Sequence, residues 1–236
     1  MILSEKTILY LVRHGKTMFN AIGRTQGWSD TPLTKLGEQT IHYLGLGLKD
    51  TPFKLAYSSD SGRAIQTMRL ILGENPQGRN IDYFVDQRIR EWCFGSLEGG
   101  YNGELWGVVP RILMYPSYDE MITKISYEDL ANAILEADTA GWAQPYADIK
   151  KRISTGFEDI AQKVEKQGGG NALVVSHGMT ISNFLHIIDP KQPLQHKLAN
   201  GSICKVSYDH GKFEILSIND ISYIEEGQKE SNDLLK

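Results

Sequence analysis

Short apolar runs alternate with amphipathic stretches along most of the sequence, and this alternation restricts the possible folds more than any other feature. Strands are predicted at residues 8–12, 54–59, 81–85, 171–177, 202–209 and 212–219. Helices are predicted at residues 34–49, 62–72, 127–137, 147–166 and 178–188. Strands that alternate with helices are typical of a mainly parallel sheet covered on both faces. The sequence therefore predicts an α/β fold whose last two strands form a hairpin.

The length of 236 residues fits one large domain, and we place this domain at residues 1–224. Residues 96–146 interrupt the alternating pattern because they are rich in glycine, tyrosine and tryptophan and contain several prolines. We predict that this segment is a cap-like insertion over the edge of the sheet, with a regular helix only at residues 127–137. The polar residues 225–236 are expected to form a frayed tail.

The composition argues against several classes of protein. The sequence has 25 Lys and Arg residues against 29 Asp and Glu residues, a net charge of -4 that disfavours nucleic-acid binding and docking on anionic membranes. No run approaches the roughly 18 apolar residues of a membrane span, and the N-terminal stretch lacks the features of a signal peptide. The two cysteines, Cys93 and Cys204, are not spaced as metal ligands. We therefore expect a cytoplasmic protein.

Two of the predicted strands end in the same way. The first runs into LVRHG at residues 11–15, and the other runs into VVSHG at residues 174–178. In an open α/β sheet, ligands bind beyond the carboxyl ends of the strands. If these two strands are neighbours, His14 and His177 face each other across one crevice.

Two arginines are expected at the same edge of the sheet. Arg13 precedes His14, and Arg63 lies in the first turn of the helix that follows YSSDS at residues 57–61. Guanidinium groups and helix N-termini both favour a phosphate group, whereas the positive charges would repel a divalent metal ion. The sequence therefore predicts an anion site without a metal.

Each of these residues also has an ordinary explanation when it is taken alone. His177 could be a hydrogen-bonded histidine at a strand end, Arg63 a solvated helix residue, and Glu91 in REWCFG a partner in a salt bridge. The prediction of a site depends on the set of residues that the fold brings to one edge.

Five sequence blocks, in this order, resemble the histidine phosphatase superfamily, also called the phosphoglycerate mutase-like family. The blocks are LVRHGKTMFN, GRTQGWSDTPLTKLGEQ, YSSDSGRAIQT, IREWCFGSLEG and VVSHG. The resemblance runs through most of the chain and implies a three-layer α/β/α sandwich. It also implies that a small phosphorylated substrate reacts through a phosphohistidine intermediate, with no cofactor.

The resemblance implies roles for individual residues. His14 matches the histidine that is phosphorylated, Glu91 matches the proton donor, and His177 completes the expected catalytic set. The expected phosphate-binding residues are Arg13, Arg63, Asn20 and Gly178. To attack phosphorus, His14 must be neutral, with its other ring N–H held by a partner such as a backbone carbonyl. Trp92 and Phe94, the apolar neighbours of Glu91, are expected to remove the Glu91 carboxyl group from water.

Three further residues are candidates for the mouth of the site. Gln26 and Trp28 belong to the block that follows the nucleophile loop, and Tyr101 lies at the start of the insertion. Arg24 and Lys16 could add positive potential at the entrance. The other aromatic residues of the insertion could also line the mouth. Alternatively, they could form the small core of the insertion itself.

Two activities can use these same residues. One is hydrolysis of a phosphomonoester, and the alternative is the reaction of a 2,3-bisphosphoglycerate-dependent phosphoglycerate mutase. The mutase pattern carries a Leu-Asn-Lys stretch and a later arginine pair, whereas here Asn102 is followed by Gly103, and Arg111 stands alone. The sequence therefore favours the phosphatase.

Two alternatives come from other classes of protein. A binding module for phosphorylated ligands would have no use for a proton donor such as Glu91. A hydrolase that holds a metal ion on His14, His177 and Glu91 would lose its activity on treatment with a chelator.

Overall fold

The computed structural model describes residues 5–194 and 197–234, and within these ranges six strands form a single sheet. The strands are β1 (Thr7–Arg13), β2 (Phe53–Ser58), β3 (Asp82–Val85), β4 (Gly170–Ser176), β5 (Ile203–Asp209) and β6 (Lys212–Asp220). Their order across the sheet is β3-β2-β4-β1-β5-β6. Strands β3, β2, β4 and β1 run parallel, while β5 is antiparallel to both β1 and β6. The predicted mainly parallel sheet is confirmed.

Helices cover both faces of this sheet. They are α1 (Met18–Ala21), α2 (Lys35–Gly47), α3 (Gly62–Glu74), α4 (Asn102–Ile112), α5 (Tyr118–Ile122), α6 (Tyr127–Ala137), α7 (Tyr146–Lys166), α8 (Gly178–Ile188) and α9 (Ser222–Leu234). Within the described ranges, no helix combines the length and the apolar character that crossing a membrane requires.

Alternate residues of the central strand β1 point into two separate cores. Leu9 and Leu11 are buried in a cluster with side chains of α4, α6, α7 and α8. Tyr10 and Val12 are buried on the opposite face, in a cluster with side chains of α2 and α3. Because successive side chains of a strand point to opposite faces, this apolar run requires cover on both sides. The fold is therefore the three-layer α/β/α sandwich that the sequence predicts.

The segment at residues 96–146 contains more helix than the sequence predicts. In addition to the expected helix at 127–137, it forms α4 and the short α5. Pro110 lies inside α4, near its end, where the missing N–H removes only one helical hydrogen bond. Leu105 and Val109 of α4 are buried in the same cluster as Leu9 of the sheet. This burial stabilises a helix that the local sequence does not favour.

The prediction of a frayed C-terminal tail is wrong for the described part of that tail. Helix α9 packs against α2, and a glycine on each helix allows the two backbones to come close. A Cβ atom on Gly227 would lie 1.8 Å from the Tyr43 carbonyl oxygen, and one on Gly47 would lie 1.9 Å from the Tyr223 carbonyl oxygen. An ion pair between Lys49 of the α2 end and Glu230 adds to this contact. Residues 235–236 lie outside the described ranges.

Candidate active site

The carboxyl ends of β1 and β4 bring the two predicted histidines together. Arg13 is paired with Ser176 in the parallel ladder, and the His14 N–H donates to the Ser176 carbonyl oxygen at 3.0 Å. The imidazole rings of His14 and His177 are 5.2 Å apart between centroids. Both side chains are buried, and only 4% of His14 is exposed. The two histidines therefore meet at one edge of the sheet, although neither lines the cavity described below.

The ring of His14 is held in a form that leaves one nitrogen free. Its Nδ1 atom lies 2.8 Å from the Gly15 carbonyl oxygen, the type of partner that the sequence analysis expects. Since a carbonyl only accepts, Nδ1 carries the hydrogen and Nε2 keeps its lone pair. Burial, together with the positive charges of Arg63 and Arg13, lowers the pKa of His14 well below its ordinary value. His14 is thus a neutral imidazole with the electronic form of a nucleophile.

The ring of His177 is engaged at both nitrogens. Its Nδ1 atom accepts from an Arg63 guanidinium nitrogen at 3.0 Å, because a guanidinium group only donates. Its Nε2 atom therefore carries the hydrogen and donates to the Ser59 hydroxyl at 2.7 Å. Burial and the charge of Arg63 lower the pKa of His177 well below its ordinary value. His177 thus positions Arg63 beside His14. For His177 to contact a phosphoryl group, one of its two ring nitrogens must exchange its present hydrogen bond for a bond to that group.

Two guanidinium groups supply positive charge at this edge, and Arg63 is fully buried whereas Arg13 is half-buried. Arg63 donates to Asp30 Oδ1 at 2.8 Å and to the carbonyl oxygens of Ser29 and Gly27. Arg13 donates to the Leu198 carbonyl oxygen. Burial lowers the pKa of each arginine, but an arginine remains charged in proteins.

The Nε atoms of these two arginines are buried and have no hydrogen-bond partner within the described part of the chain. Buried donors of this kind are costly unless they bind something. On a charged guanidinium group, a donor without a partner is suited to bind an oxyanion.

A cavity of about 360 Å³ opens beside these groups. Of the predicted site residues, Arg13, Asn20, Gln26, Glu91 and Gly178 line it. Its polar wall also contains Arg24, Thr25, Asn102 and Lys197. Its apolar wall contains Phe94, Leu105, Trp106, Met179 and Leu198. The lining of the cavity therefore combines cations and hydrogen-bonding groups with apolar side chains that can contact a carbon skeleton.

The carboxyl group of Glu91 is fixed against the first turn of α8. Its Oε1 atom accepts from the backbone N–H groups of Trp92 and Thr180 at 3.0 and 2.9 Å, and from the Thr180 hydroxyl at 3.1 Å. Its Oε2 atom accepts from the Met179 N–H at 3.0 Å and from no other donor of residues 5–194 and 197–234. Trp92 and Phe94 are buried beside it. Oε2 thus retains the capacity to exchange a proton with a ligand in the cavity.

The three mouth candidates have different places in the structure. Gln26 lines the cavity and is held by Thr17 and Thr31. Trp28 is 43% exposed and lies outside the cavity wall, because its ring packs on Arg90 and its indole N–H donates to the Glu91 carbonyl oxygen at 3.0 Å.

Tyr101 is 53% exposed and also lies outside the cavity wall, because its ring packs against the Arg24 guanidinium group at 4.3 Å. Of the three mouth candidates, only Gln26 lines the cavity. Arg24 itself lines the cavity, whereas Lys16 is exposed and does not. Among the other aromatic residues of the insertion, Trp106 lines the cavity and also packs on Tyr118. It therefore contributes both to the cavity wall and to the core of the insertion.

Several residues that support the site were not identified from the sequence. Ser59 holds His177, Thr180 holds Glu91, and Asn200 donates to the His14 carbonyl oxygen at 2.9 Å. Ser59 and Thr180 lie within or beside recognised blocks, so their position offered a signal. Asn200 lies in a loop far from any of these blocks, and nothing in the sequence marks it.

The donor arrangement does not fit the alternative of a metal ion on His14, His177 and Glu91. Both nitrogens of His177 and both oxygens of Glu91 already have hydrogen-bond partners, and two arginines adjoin them. Over residues 5–194 and 197–234, the side chains that come together with metal-ligand geometry are instead Glu165, Asp209 and His210, at the hairpin between β5 and β6.

Comparison with known proteins decides the family. The sequence model of the histidine phosphatase superfamily (branch 1) matches residues 9–110 and 116–221. The chain belongs to this superfamily. It is similar to the 2,3-bisphosphoglycerate-dependent phosphoglycerate mutase of Cytophaga hutchinsonii, with 30% identity over 223 residues that cover 92% of this chain and 93% of the relative.

Solved structures of this superfamily include both kinds of enzyme. The crystal structure of a phosphoglycerate mutase from Bacillus anthracis superimposes with a TM-score of 0.90 at 35% identity, covering 96% of this chain and 98% of that one. A phosphoserine phosphatase from Entamoeba histolytica, in complex with 3-phosphoglyceric acid, superimposes with a TM-score of 0.66 at 24% identity, covering 92% and 99%. The second similarity shows the fold alone. The superfamily is established by the sequence model, and the similar solved structures include both a mutase and a phosphatase.

Proposed function

We propose that this protein is a phosphomonoester hydrolase that acts on a small phosphorylated metabolite through a phosphohistidine intermediate on His14. The observation that carries the proposal is the neutral His14 ring, whose Nδ1–H is held by the Gly15 carbonyl oxygen beside the cations Arg13 and Arg63. A free Nε2 lone pair is what attack on phosphorus requires, and the cations are what the phosphoryl oxygens require.

The reaction consists of two transfers. In the first, Nε2 of His14 attacks phosphorus, the ester P–O bond breaks, and a proton from Glu91 goes to the leaving alkoxide oxygen. In the second, water attacks the phosphorus of phosphohistidine, the N–P bond breaks, and Glu91 takes a proton from the water. Arg13 and Arg63 stabilise the charge on the equatorial oxygens in both steps. Inorganic phosphate leaves, and His14 regains its lone pair.

Two features of this chain favour hydrolysis over the mutase reaction. Gly103 follows Asn102 where the mutase pattern has a lysine, so Asn102 is the polar side chain that α4 presents to the cavity wall. Arg111, the one arginine that could serve in the expected pair, is exposed and outside the cavity wall. A mutase must retain the phosphoryl group and return it to a bound glycerate, and these departures remove groups that would hold that acceptor.

The mutase remains the second candidate, because specific observations favour it. Two of the relatives named above, at 30% and 35% identity, are phosphoglycerate mutases. In addition, Arg24 and Lys197 line the cavity without an ion pair to any carboxylate of the described residues. Two such cations could hold the carboxylate of a phosphoglycerate.

The experiment that separates the two functions supplies 3-phosphoglycerate with and without 2,3-bisphosphoglycerate and follows both inorganic phosphate and 2-phosphoglycerate. We expect phosphate release from p-nitrophenyl phosphate without the bisphosphate and slow interconversion of the two phosphoglycerates. Rapid interconversion that depends on the bisphosphate, with little phosphate released, would assign the mutase function instead. A parallel sample treated with a chelator should keep its activity; a loss that zinc or manganese restores would favour a metal-dependent hydrolase.

A further inference from the structure

Glu91 lies in a segment whose backbone has no regular secondary structure to hold it. Residues 90–94 connect two single turns of 3₁₀ helix, at Gln87–Ile89 and Gly95–Leu97, and belong to no strand or helix. Carbonyl groups in such a segment depend on side chains for their hydrogen bonds. The position of the Glu91 backbone, which carries the carboxyl group to the first turn of α8, therefore depends on the side chains that bind this segment.

A single arginine of α7 binds two carbonyl groups of this segment and one carbonyl group just before it, while the Thr180 hydroxyl and the Trp28 indole N–H add one bond each to the Arg90 and Glu91 carbonyl oxygens. One terminal nitrogen of Arg152 donates to the carbonyl oxygens of Arg88 and Arg90 at 3.0 and 2.7 Å, and the other donates to the Glu91 carbonyl oxygen at 2.8 Å. The Arg88 carbonyl has no other hydrogen-bond partner among the bonds described. The planar guanidinium group therefore fixes the distance between α7 and the backbone of the expected proton donor.

The guanidinium group is itself fixed and charged. Its Nε atom donates to Gln144 Oε1 at 3.0 Å, so all three nitrogens of Arg152 are engaged. It makes no ion pair with a carboxylate in the described ranges. Burial lowers the pKa of Arg152 to about 10, an effect that the negative charge of Glu91 opposes. At neutral pH a positive charge thus stands behind Glu91, on the side of its backbone.

We propose that Arg152 is a positioning residue that holds the segment at residues 90–94 so that the Glu91 carboxyl group reaches the leaving oxygen. This inference rests on the proposed function, because it takes Glu91 to be the proton donor. Arg152 is absent from the cavity wall, so its proposed action on the reaction passes through Glu91. Gln144 contributes to the same positioning, since its bond to Arg152 Nε orients the plane of the guanidinium group.

The test compares two substrates that differ in their need for a proton. An alkyl phosphate has a poor leaving group that requires protonation, whereas p-nitrophenyl phosphate has a good one. Arg152→Met keeps the length of the side chain but removes its donors, and we expect kcat for the alkyl phosphate to fall by about 10- to 100-fold, as small misplacements of catalytic groups do. The loss on p-nitrophenyl phosphate should be at least about fivefold smaller, because it does not depend on Glu91 in the same way.

Three further variants complete the series. Arg152→Lys should recover part of the loss, because an ammonium group can bind one or two of the three carbonyl oxygens. Gln144→Leu should give a smaller loss with the same preference for the alkyl phosphate. Lys151→Met, on the neighbouring exposed position of α7, is the matched control and should leave both rates unchanged.

Equal losses on the two substrates in Arg152→Met would overturn the inference and leave Arg152 with a structural role alone. If this variant does not fold, as judged by its melting curve, Gln144→Leu decides in its place by the same comparison. Glu91→Gln serves as the reference. If Glu91→Gln is itself insensitive to the leaving group, the proton-donor role in the proposed function fails. If Glu91→Gln is sensitive and the folded Arg152→Met variant is not, only the positioning inference fails.

Discussion

Replacing His14 by alanine is expected to lower the turnover of p-nitrophenyl phosphate by about three orders of magnitude or more, because a nucleophile and its supporting groups act as a unit. The variant keeps Arg13, Arg63 and the cavity, so phosphate binding should persist while covalent transfer is lost. The measurement is the steady-state rate of nitrophenol release, made together with the affinity for inorganic phosphate.

The control for this variant is His42→Ala. His42 pairs with Glu74 between α2 and α3, away from the cavity, so the same chemical change there should leave turnover close to the wild-type value. Melting curves of both variants show whether the fold is retained. A folded His14→Ala variant with turnover within tenfold of the wild type would contradict the assignment of His14 as nucleophile.

Replacing Glu91 by glutamine is expected to slow the hydrolysis of alkyl phosphates by about 10²- to 10⁴-fold, the usual contribution of a general acid. The loss on p-nitrophenyl phosphate should be much milder, because its leaving group needs little protonation. The amide group keeps one acceptor oxygen for the Trp92 and Thr180 N–H groups but turns its NH₂ group towards the Met179 N–H. We therefore also expect a loss of about 1–3 kcal/mol in the free energy of unfolding.

Variants of the arginines give the comparison that this prediction needs. Arg13→Ala and Arg63→Ala remove charge from the phosphoryl group itself, which is common to all substrates, so both should depress the two rates together. Initial rates on both substrates, measured for the three variants under one set of conditions, provide the test. Equal losses for Glu91→Gln on the two substrates would leave Glu91 with a structural role.

The positions of the central site residues could be predicted because they follow directly from the alternation of strands and helices. His14 and His177 each come one residue after a buried strand, and parallel neighbours in a sheet end at the same edge. Arg63 lies in the first turn of α3, directly beyond the end of β2. Because an apolar run determines where its strand ends, it also determines which residues lie at this edge of the sheet.

The parts that could not be predicted depend on contacts between residues far apart in the chain. The rings of Trp28 and Tyr101 pack on Arg90 and Arg24 and do not line the cavity, and no local pattern indicates which cation an aromatic side chain will meet. The contacts of Arg152 could not be predicted either, since a polar residue on an amphipathic helix is usually solvated.

Helix α9 shows a related limitation. Its sequence is polar, and its stability comes from the close approach of two glycines, Gly47 and Gly227, to the facing backbones of α9 and α2. A glycine inside a helix ordinarily weakens it, so the local sequence pointed towards a frayed tail. The contact with α2, which lies about 180 residues earlier in the chain, reverses that expectation.

The central claim is that the phosphoryl group passes through His14 on its way to water, and one measurement tests it most directly. The enzyme is mixed briefly with a substrate labelled in its phosphoryl group and quenched without acid, and the labelled peptide is then identified. We predict a label that is labile in acid and stable in base, that lies on His14, that is absent from His14→Ala, and that decays to inorganic phosphate in water without an added acceptor. A label that persists in His14→Ala, or one on His14 that leaves only when a phosphoglycerate is added, would contradict the account.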